Sequence, residues 1–270
     1  MEQQDYQKIA SAIRLSILEM IYNSKSSHIG SAFSIVDLLV CLYFNVMSVN
    51  LDDRCAIERD LFILSKGHAA TALYATLCQR GYFASKELEK YGESGTKLSG
   101  HVIKDCLPGI EVSAGSLGHG LPIAAGMALA AKLDNRRNQV FCLMGDGECN
   151  EGSVWEAAIF AGHHQLGNLF AIIDFNNQQG MGRSDEILNL SEMGQAWEGF
   201  GWEVQTVDGH NHLEIIKAFA NFSTVKPKVL IAKTVKGKGV AWMEDKIEWH
   251  YKSPTEDQYQ EAKNILTANL

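Results

Sequence analysis

The chain has 270 residues, of which 46% are hydrophobic and 21% are charged, and its formal net charge is −8. This composition is that of a globular protein long enough for one large domain with a full core. The lysines and arginines are scattered along the chain, which disfavours a nucleic-acid-binding surface because such surfaces show a basic face.

The first predicted element is an amphipathic helix near the N-terminus. Its apolar residues recur with helical spacing, at Ile9, Ile13, Ile17 and Met20. Further along, Ser34 followed by Asp37 resembles a capping box. This pair predicts the start of a helix ahead of an apolar run that ends at about residue 47.

Short apolar runs then alternate with helical segments. Strands are predicted at residues 61–64, 140–144, 169–174, 202–207 and 229–234, and helices at 153–164, at 213–222 and in a segment that stops near Gly81. This alternation predicts an α/β fold, in which a mainly parallel sheet carries helices on both faces. Ligands of such sheets bind beyond the carboxyl ends of the strands.

Two polar motifs follow neighbouring predicted strands at their carboxyl ends. Asp146 lies in a Gly-Asp-Gly sequence after the strand at 140–144, and Asn176 ends the next strand. Because neighbouring parallel strands end side by side, both side chains can reach one hard cation such as Mg²⁺. Gly147 lets backbone N–H groups approach a phosphate at the start of the following helix. Taken alone, either motif is equally well an ordinary turn.

The same residues resemble a known family. The sequence GDGECNEG at 145–152, followed by DFNN at 174–177, resembles the thiamine-diphosphate motif in its transketolase form. The resemblance implies a thiamin diphosphate-binding fold with thiamine diphosphate and Mg²⁺ as cofactors. By the same resemblance, the metal ligands would be Asp146, Asn176 and the backbone oxygen of Gln178. The cofactor would be contacted by Gly147, Glu148 and Asn176.

Four histidines lie in segments that are similar to transketolase sequences. These are SHIG at 27–30, LSKGHA at 64–69, SGH at 99–101 before PGIE at 108–111, and WH at 249–250 after TVKGKG. The resemblance places His68 and His250 against the diphosphate, and His28 and His101 against the sugar and the reactive carbon of the cofactor. The resemblance implies that His28, His101 and His250 are catalytic. Their chemistry is consistent with this, because proton transfer on a keto sugar needs groups that titrate near neutrality. Any single one could instead have a structural role.

A glycine-rich loop, GSLGHG at 115–120, resembles the GPLGQG loop of the family and places Gly115, Ser116 and Leu117 at the cofactor. The chain departs from the family at several positions near the substrate, which are Ile29, Val102, Ser116, His119 and Tyr251. The resemblance therefore says less about the donor sugar than about the cofactor. Glu151 and Glu156 match acidic positions of the family's subunit contact, or else they are carboxylates that favour a helix N-terminus.

A complete transketolase also has a pyrimidine-binding domain, with a glutamate that contacts the aminopyrimidine ring. This chain ends at Leu270, just beyond the part that resembles the diphosphate domain. We therefore expect residues 1–270 to form a single diphosphate-binding domain, the N-terminal subunit of a split transketolase. With a pyrimidine-binding C-terminal subunit, in an α2β2 heterotetramer, it would transfer a two-carbon ketol unit from a ketose, or ketose phosphate, to an aldose.

Two other classes of thiamine enzyme remain alternatives, a deoxyxylulose-phosphate synthase-like protein and the α subunit of a 2-oxo-acid dehydrogenase. A non-catalytic cofactor-binding subunit is a third. A Rossmann-type dehydrogenase is disfavoured because no GxGxxG follows an early strand. The longest apolar stretch, residues 121–131, is too short to span a membrane. Six cysteines without CxxC or zinc spacing, and no signal peptide, favour a cytoplasmic location.

Overall fold

A five-stranded parallel sheet forms the centre of the computed structural model, which describes residues 1–53, 56–223 and 225–270. The strand order is β1-β2-β3-β5-β4, with β1 at Leu61–Leu64, β2 at Val140–Gly145, β3 at Leu169–Phe175, β4 at Glu203–Asp208 and β5 at Lys228–Lys233. β2 and β3 pair in parallel with Gly145 opposite Asp174, so their carboxyl ends are adjacent.

Helices cover both faces of this sheet. In chain order they are α1 (Gln3–Ser24), α2 (Ile29–Ser34), α3 (Val36–Cys41), α4 (Ala70–Arg80), α5 (Gly120–Leu133), α6 (Gly152–His163), α7 (Ser184–Ile187), α8 (Met193–Gly199), α9 (His212–Asn221) and α10 (Glu256–Thr267). Short 3₁₀ turns precede α4 and α6, at Gly67–Ala69 and Gly147–Asn150, and another lies at Ile247–His250.

Alternate residues of each strand point into two separate cores. Phe141 and Leu143 pack with residues of α1 to α4, α9 and α10, whereas Cys142 and Met144 pack with residues of α5, α6 and α8. This follows from the period of two along a strand, and a strand that is buried on both faces is apolar throughout. The predicted α/β fold, with helices on both faces of a parallel sheet, is confirmed.

Most predicted elements lie within two residues of their observed positions. The opening helix is α1, where Ile13 and Ile17 are fully buried. The helix predicted to stop near Gly81 is α4, and Gly81 caps it with a φ of +94°, a conformation that glycine adopts without a steric penalty.

The predicted capping box at Ser34 and Asp37 is wrong. Ser34 is the last residue of α2, and its hydroxyl donates to Asp174 Oδ2 at 2.7 Å instead of accepting from an N–H group at a helix N-terminus. The Asp37 carboxylate accepts from Arg14 Nη2 at 2.6 Å and lies 2.7 Å from His210 Nδ1. Both residues are buried polar groups whose partners come from distant parts of the chain, and a local pattern cannot reveal them.

Five helices in the described part of the chain were not predicted, namely α2, α5, α7, α8 and α10. The apolar stretch at 121–131 is most of α5, and α10 lies in a segment that was assigned no element. α10 does carry a readable signal, because Thr255 and Gln258 form a reciprocal capping box at its start. No helix in the described part of the chain is long and apolar enough to cross a membrane.

Candidate active site

A cavity of about 520 Å³ lies at the carboxyl ends of β2 and β3. Asp146 follows β2 and Asn176 follows β3, and both line this cavity together with Gln178. The two motifs predicted to meet at one edge of the sheet therefore do so. A cavity of about 570 Å³ at the opposite edge is lined by basic residues such as Lys132 and Arg136, but parallel sheets bind their ligands at the carboxyl edge.

The Asp146 carboxylate is buried and accepts hydrogen bonds from two uncharged groups. Its Oδ1 accepts from the N–H of Gly147 at 2.8 Å, and its Oδ2 accepts from the hydroxyl of Ser184 at 2.9 Å. Burial raises the pKa of Asp146 to about 6, and the nearby Asp174 carboxylate adds to the rise. A cation bound here would stabilise the charged form.

Asn176 is oriented by a second buried carboxylate. Its Nδ2 donates to Asp174 Oδ2 at 2.9 Å, while its Oδ1 accepts from the N–H of Gln178 at 3.0 Å. Asp174 is in turn held by the Lys66 ammonium, at 2.5 Å, and by the Ser34 and Thr234 hydroxyls. This network fixes which end of the Asn176 amide is the oxygen, as metal ligation by that oxygen requires.

The oxygen atoms at this edge fit a magnesium ion in their chemistry. They are one carboxylate (Asp146), one amide oxygen (Asn176) and the backbone carbonyl of Gln178, which accepts from Lys236 Nζ at 3.2 Å and keeps a second lone pair. No three His, Cys, Asp or Glu side chains among the described residues are arranged to hold a metal. A cation here would therefore depend on neutral oxygen donors and on the oxygens of its ligand.

The four histidines that the family resemblance singled out come from distant segments and meet in this cavity. The ring of His28 lies 5.2 Å from that of His68, 6.1 Å from that of His101 and 5.1 Å from that of His250. Burial lowers the pKa of His28 to about 4 and that of His250 to about 3, and nearby basic groups, among them Lys66, contribute. The imidazoles of His28 and His250 are therefore neutral at physiological pH and able to accept a hydrogen bond, but they titrate below the near-neutral range expected from the sequence, because they are buried.

His28 also has an unusual backbone. It precedes α2 with a φ of +74°, in the left-handed region that residues other than glycine rarely occupy. Its N–H donates to the carbonyl of His250 at 3.0 Å. The bond joins two histidines that are more than two hundred residues apart, and it holds their rings at the same place.

The glycine-rich loop reaches the cavity through Gly115 and Leu117, whereas Ser116 between them is exposed and is not part of the lining. The Glu148 carboxylate fixes this loop, accepting from the N–H of Gly118 at 2.9 Å, from the N–H of Gly145 at 3.2 Å and from the Ser65 hydroxyl. Burial raises the pKa of Glu148. Glu148 also lines the cavity, and its described bonds are to the protein itself.

Gly147 lies close to a side chain of the segment after β3. A Cβ added at Gly147 would lie 2.7 Å from Cγ of Gln179, so a side chain here would displace that residue. The turn after β2 therefore packs against the segment after β3 here, and a larger residue at 147 is accommodated only if the Gln179 side chain moves.

Two lysines were not assigned a role from the sequence. Lys66 lines the cavity, and Lys236 Nζ lies 3.0 Å from His250 Nδ1. Burial lowers the pKa of Lys236 to about 8, and the neighbouring Lys66 contributes. Both lysines belong to segments already noted as similar to the family, LSKGHA and TVKGKG, so the signal was present in the sequence.

At the mouth of the cavity lie Met181 and Tyr251, which are 85% and 63% exposed. Tyr251 is one of the departures from the family pattern, and its ring lies 4.7 Å from that of His250. Glu151 is the N-cap residue of α6 and lines the cavity without a side-chain capping bond, while Glu156 is exposed on the same helix.

Comparison with known proteins identifies the family. The thiamine diphosphate binding domain of transketolase matches residues 5–269. The chain belongs to the transketolase family. The predictions of the family and of the thiamin diphosphate-binding fold are thereby confirmed.

Relatives of two kinds are similar to this transketolase chain. One subunit of the apulose-4-phosphate transketolase of Phocaeicola vulgatus is 43% identical, over 95% of this chain and 92% of its own length. One subunit of the 6-deoxy-6-sulfo-D-fructose transketolase of a Clostridium species is 40% identical, over 97% and 96%. Human transketolase is 39% identical, but the match covers 90% of this chain and only 39% of the human protein.

Solved transketolases have the same fold. The Campylobacter jejuni enzyme superposes with a TM-score of 0.92 at 30% identity, covering 99% of this chain and 43% of that one. The chain thus matches the separate subunits over nearly their full length and the single-chain enzymes over their thiamine-diphosphate part. The prediction of an N-terminal transketolase subunit is confirmed.

Proposed function

We propose that this transketolase subunit holds thiamine diphosphate through Mg²⁺ at Asp146, Asn176 and the carbonyl of Gln178. Ketol transfer would then take place at the four histidines. The observation that carries the proposal is the shared cavity, because it joins these three oxygen donors to His28, His68, His101 and His250. Hard oxygen donors suit Mg²⁺, and the N–H groups after β2 suit a phosphate.

Within the site, bound thiamine diphosphate supplies the chemistry of a stabilised carbanion. His28 and His250 are neutral and, together with His101, would accept or return protons at the sugar hydroxyls. His68, which burial also keeps neutral, would donate a hydrogen bond to the diphosphate. Gly115 and Leu117, together with the neighbouring Ser116, would contact the cofactor, and Glu148 would hold their loop in place.

The proposed substrates are sugars or sugar phosphates, a ketose as the donor and an aldose as the acceptor. The relatives are named for apulose 4-phosphate and for 6-deoxy-6-sulfo-D-fructose, each of which carries one acidic group. The cavity's lysine, Lys66, is engaged with Asp174, and the nearby Lys236 contacts Gln178 and His250. The acidic end of a substrate would therefore be bound by residues of another subunit.

That subunit would be a pyrimidine-binding C-terminal chain, in an α2β2 assembly with residues 1–270 as one diphosphate-binding domain. In support, α5 and α6 both begin beside the cavity and expose large apolar side chains, among them Ile123, Ile159 and Phe160. Exposed apolar surface next to a ligand site is typical of protein interfaces.

The described cysteines are free, which is consistent with the reducing cytoplasm.

The proposal is tested by calorimetric titration of the chain with thiamine diphosphate and Mg²⁺. We expect Asp146→Ala to weaken binding about a hundredfold, because it removes the carboxylate ligand. Asp52→Ala, at an exposed aspartate in the loop before β1, should bind as the wild type does. If Asp146→Ala binds as tightly as the wild type, the metal assignment is wrong.

Activity assays address the partner and the reaction. Ketol transfer from a ketose should appear only when the pyrimidine-binding subunit is added, and turnover by the chain alone would refute the requirement for a partner. Offering a 2-oxo acid in place of the ketose separates the proposal from the other thiamine enzymes, since a transketolase subunit should support transfer from the ketose.

A further inference from the structure

The loop after β5 brings Lys236 into the candidate active site. Lys236 is 1% exposed, and its Nζ lies 3.0 Å from His250 Nδ1 and 3.2 Å from the carbonyl oxygen of Gln178. Lys236 therefore touches one residue proposed to bind the diphosphate and one proposed to bind the metal. Whatever fixes the backbone of this loop also fixes these two contacts.

The backbone N–H of Val235, the residue before Lys236, donates to a histidine that does not line the cavity. Val235 N–H donates to His210 Nε2 at 2.8 Å. Because Nε2 accepts this bond, it carries no proton, and the proton of the neutral ring is on Nδ1. Nδ1 in turn lies 2.7 Å from Asp37 Oδ2, to which it donates.

Asp37 is a firmly held partner for this histidine. It is 3% exposed on α3, and its Oδ2 also accepts from Arg14 Nη2 at 2.6 Å. Its Oδ1 lies 3.1 Å from His212 Nε2. Burial favours the neutral acid, but the Arg14 charge and the hydrogen bonds prevail and hold the pKa of Asp37 well below its usual range. The Asp37 carboxylate is therefore charged and held in place, and it accepts the hydrogen bond that His210 Nδ1 donates.

Two other N–H groups of this loop, those of Thr234 and Gly237, are held differently. Thr234 N–H donates to the carbonyl of Phe175 at 3.1 Å, and Gly237 N–H donates to the carbonyl of Gly30 at 3.0 Å. These are bonds between backbone groups. At Val235 the acceptor is a side chain, so a substitution at residue 210 can remove it without altering the flanking bonds.

We propose that His210 is a positioning residue for the cofactor site. Supported by Asp37, it holds the Val235 N–H and thereby sets Lys236 against His250 and the Gln178 carbonyl. The link to cofactor binding rests on the function proposed above, whereas the hold on the loop does not.

Three variants separate this role from a merely structural one. His210→Asn keeps a donor where Nδ1 meets Asp37 but has no acceptor in the place of Nε2. His210→Gln reaches far enough to put an oxygen acceptor at the Nε2 position. His212→Asn is the matched control, because His212 lies against the same carboxylate and its described contacts do not include the loop at 234–239.

The experiment measures amide hydrogen exchange at Val235 and calorimetric binding of thiamine diphosphate with Mg²⁺, both on the full chain. We expect His210→Asn to speed exchange of the Val235 amide about tenfold and to weaken cofactor binding about tenfold, since a partly buried N–H loses its acceptor. His210→Gln and His212→Asn should remain within about twofold of the wild type in both measurements, and a melting curve checks that each variant folds.

Wild-type exchange at Val235 in His210→Asn would overturn the proposal, as would equal losses of affinity in His210→Asn and His210→Gln. If the wild-type chain fails to bind thiamine diphosphate, the proposed function fails instead. The exchange rates still decide whether His210 holds the loop.

Discussion

Asp146 and Asp174 occupy the ends of neighbouring strands, and both are buried, yet their surroundings are opposite. Asp174 accepts from the Lys66 ammonium, two hydroxyls and the Asn176 amide, and these contacts lower its pKa in spite of complete burial. Asp146 accepts from one hydroxyl and one N–H, and burial raises its pKa to about 6. Asp174 already has its cation within the chain, whereas Asp146 pairs with none among the described residues.

The difference separates a structural charge from a ligand-binding one. Breaking a buried ion pair is costly because the remaining charge is left without a partner in a region of low dielectric constant. A buried carboxylate without a cation lowers the stability of the fold until a cation binds to it. Removing the cation that pairs with Asp174 should therefore lower the free energy of unfolding, whereas removing the charge of Asp146 should raise it.

The largest expected effect comes from Lys66→Met. It leaves the Asp174 carboxylate buried and unpaired, and we expect the free energy of unfolding to fall by about 3–5 kcal/mol in urea denaturation. The double variant Lys66→Met with Asp174→Asn should recover much of this loss, because neither charge then remains. As a control, Lys252→Met breaks an exposed pair with Glu248 and should cost less than about 0.5 kcal/mol.

A smaller loss is expected at Glu148, where the partners are N–H groups rather than a cation. Glu148→Ala leaves the N–H groups of Gly118 and Gly145 without their acceptor and should lower the free energy of unfolding by about 2 kcal/mol. Glu148→Gln retains an oxygen acceptor and should cost less than about 1 kcal/mol. Equal losses of unfolding free energy in Glu148→Ala and Glu148→Gln would show that the hydrogen bonds accepted by the Glu148 side chain do not stabilise the loop.

At Asp146, removal of the charge should stabilise the fold rather than destabilise it. A carboxyl group whose pKa is raised in the folded state destabilises the fold above that pKa, so Asp146→Asn should raise the free energy of unfolding of the cofactor-free chain at pH 7 by about 1–2 kcal/mol. Adding Mg²⁺ and thiamine diphosphate should make the wild type the more stable of the two. A cofactor-free variant less stable than the wild type would contradict the comparison.

The smallest effect concerns pH and His28. Because the folded-state pKa of His28 is about 4, the unfolded chain binds more protons than the folded one between about pH 4 and pH 6.5. The contribution of His28 to the free energy of unfolding should therefore decrease as the pH falls through this window and should be constant above it. Solvent screening keeps the share of His28 below about 1 kcal/mol.

His28→Asn tests this share, because asparagine tolerates the left-handed backbone at this position. Its unfolding free energy should depend less steeply on pH than that of the wild type. His164→Asn, at an exposed histidine, should leave the slope unchanged. The same slope in His28→Asn as in the wild type would mean that His28 titrates normally.

Much of the site was predictable from the sequence because parallel strands bring their carboxyl ends together. Once 140–144 and 169–174 were recognised as strands, Asp146 and Asn176 had to be neighbours, and they are. The family resemblance supplied the four histidines, whose convergence no local pattern could show. Ser116 was placed at the cofactor with its loop, but its side chain is exposed.

What local patterns missed depends on contacts between distant residues. The hydroxyl of Ser34 and the carboxylate of Asp37 were interpreted as a capping pair, but Ser34 binds Asp174, and Asp37 binds Arg14 and His210. Buried polar residues take the partners that the tertiary fold provides. Lys66 and Lys236 lie in segments that are similar to the family, but their contacts with Asp174, His250 and the Gln178 carbonyl are likewise made by the tertiary fold.

The hydrogen bond from His28 N–H to the carbonyl of His250 has a consequence for synthesis of the protein. A growing chain that has left the ribosome as far as β5 contains His28, His68 and His101 but still lacks the segment that carries His250. The histidine cluster can therefore close only after the segment around residue 250 has emerged. Until then, a nascent chain with a complete sheet would still have an unfinished active site.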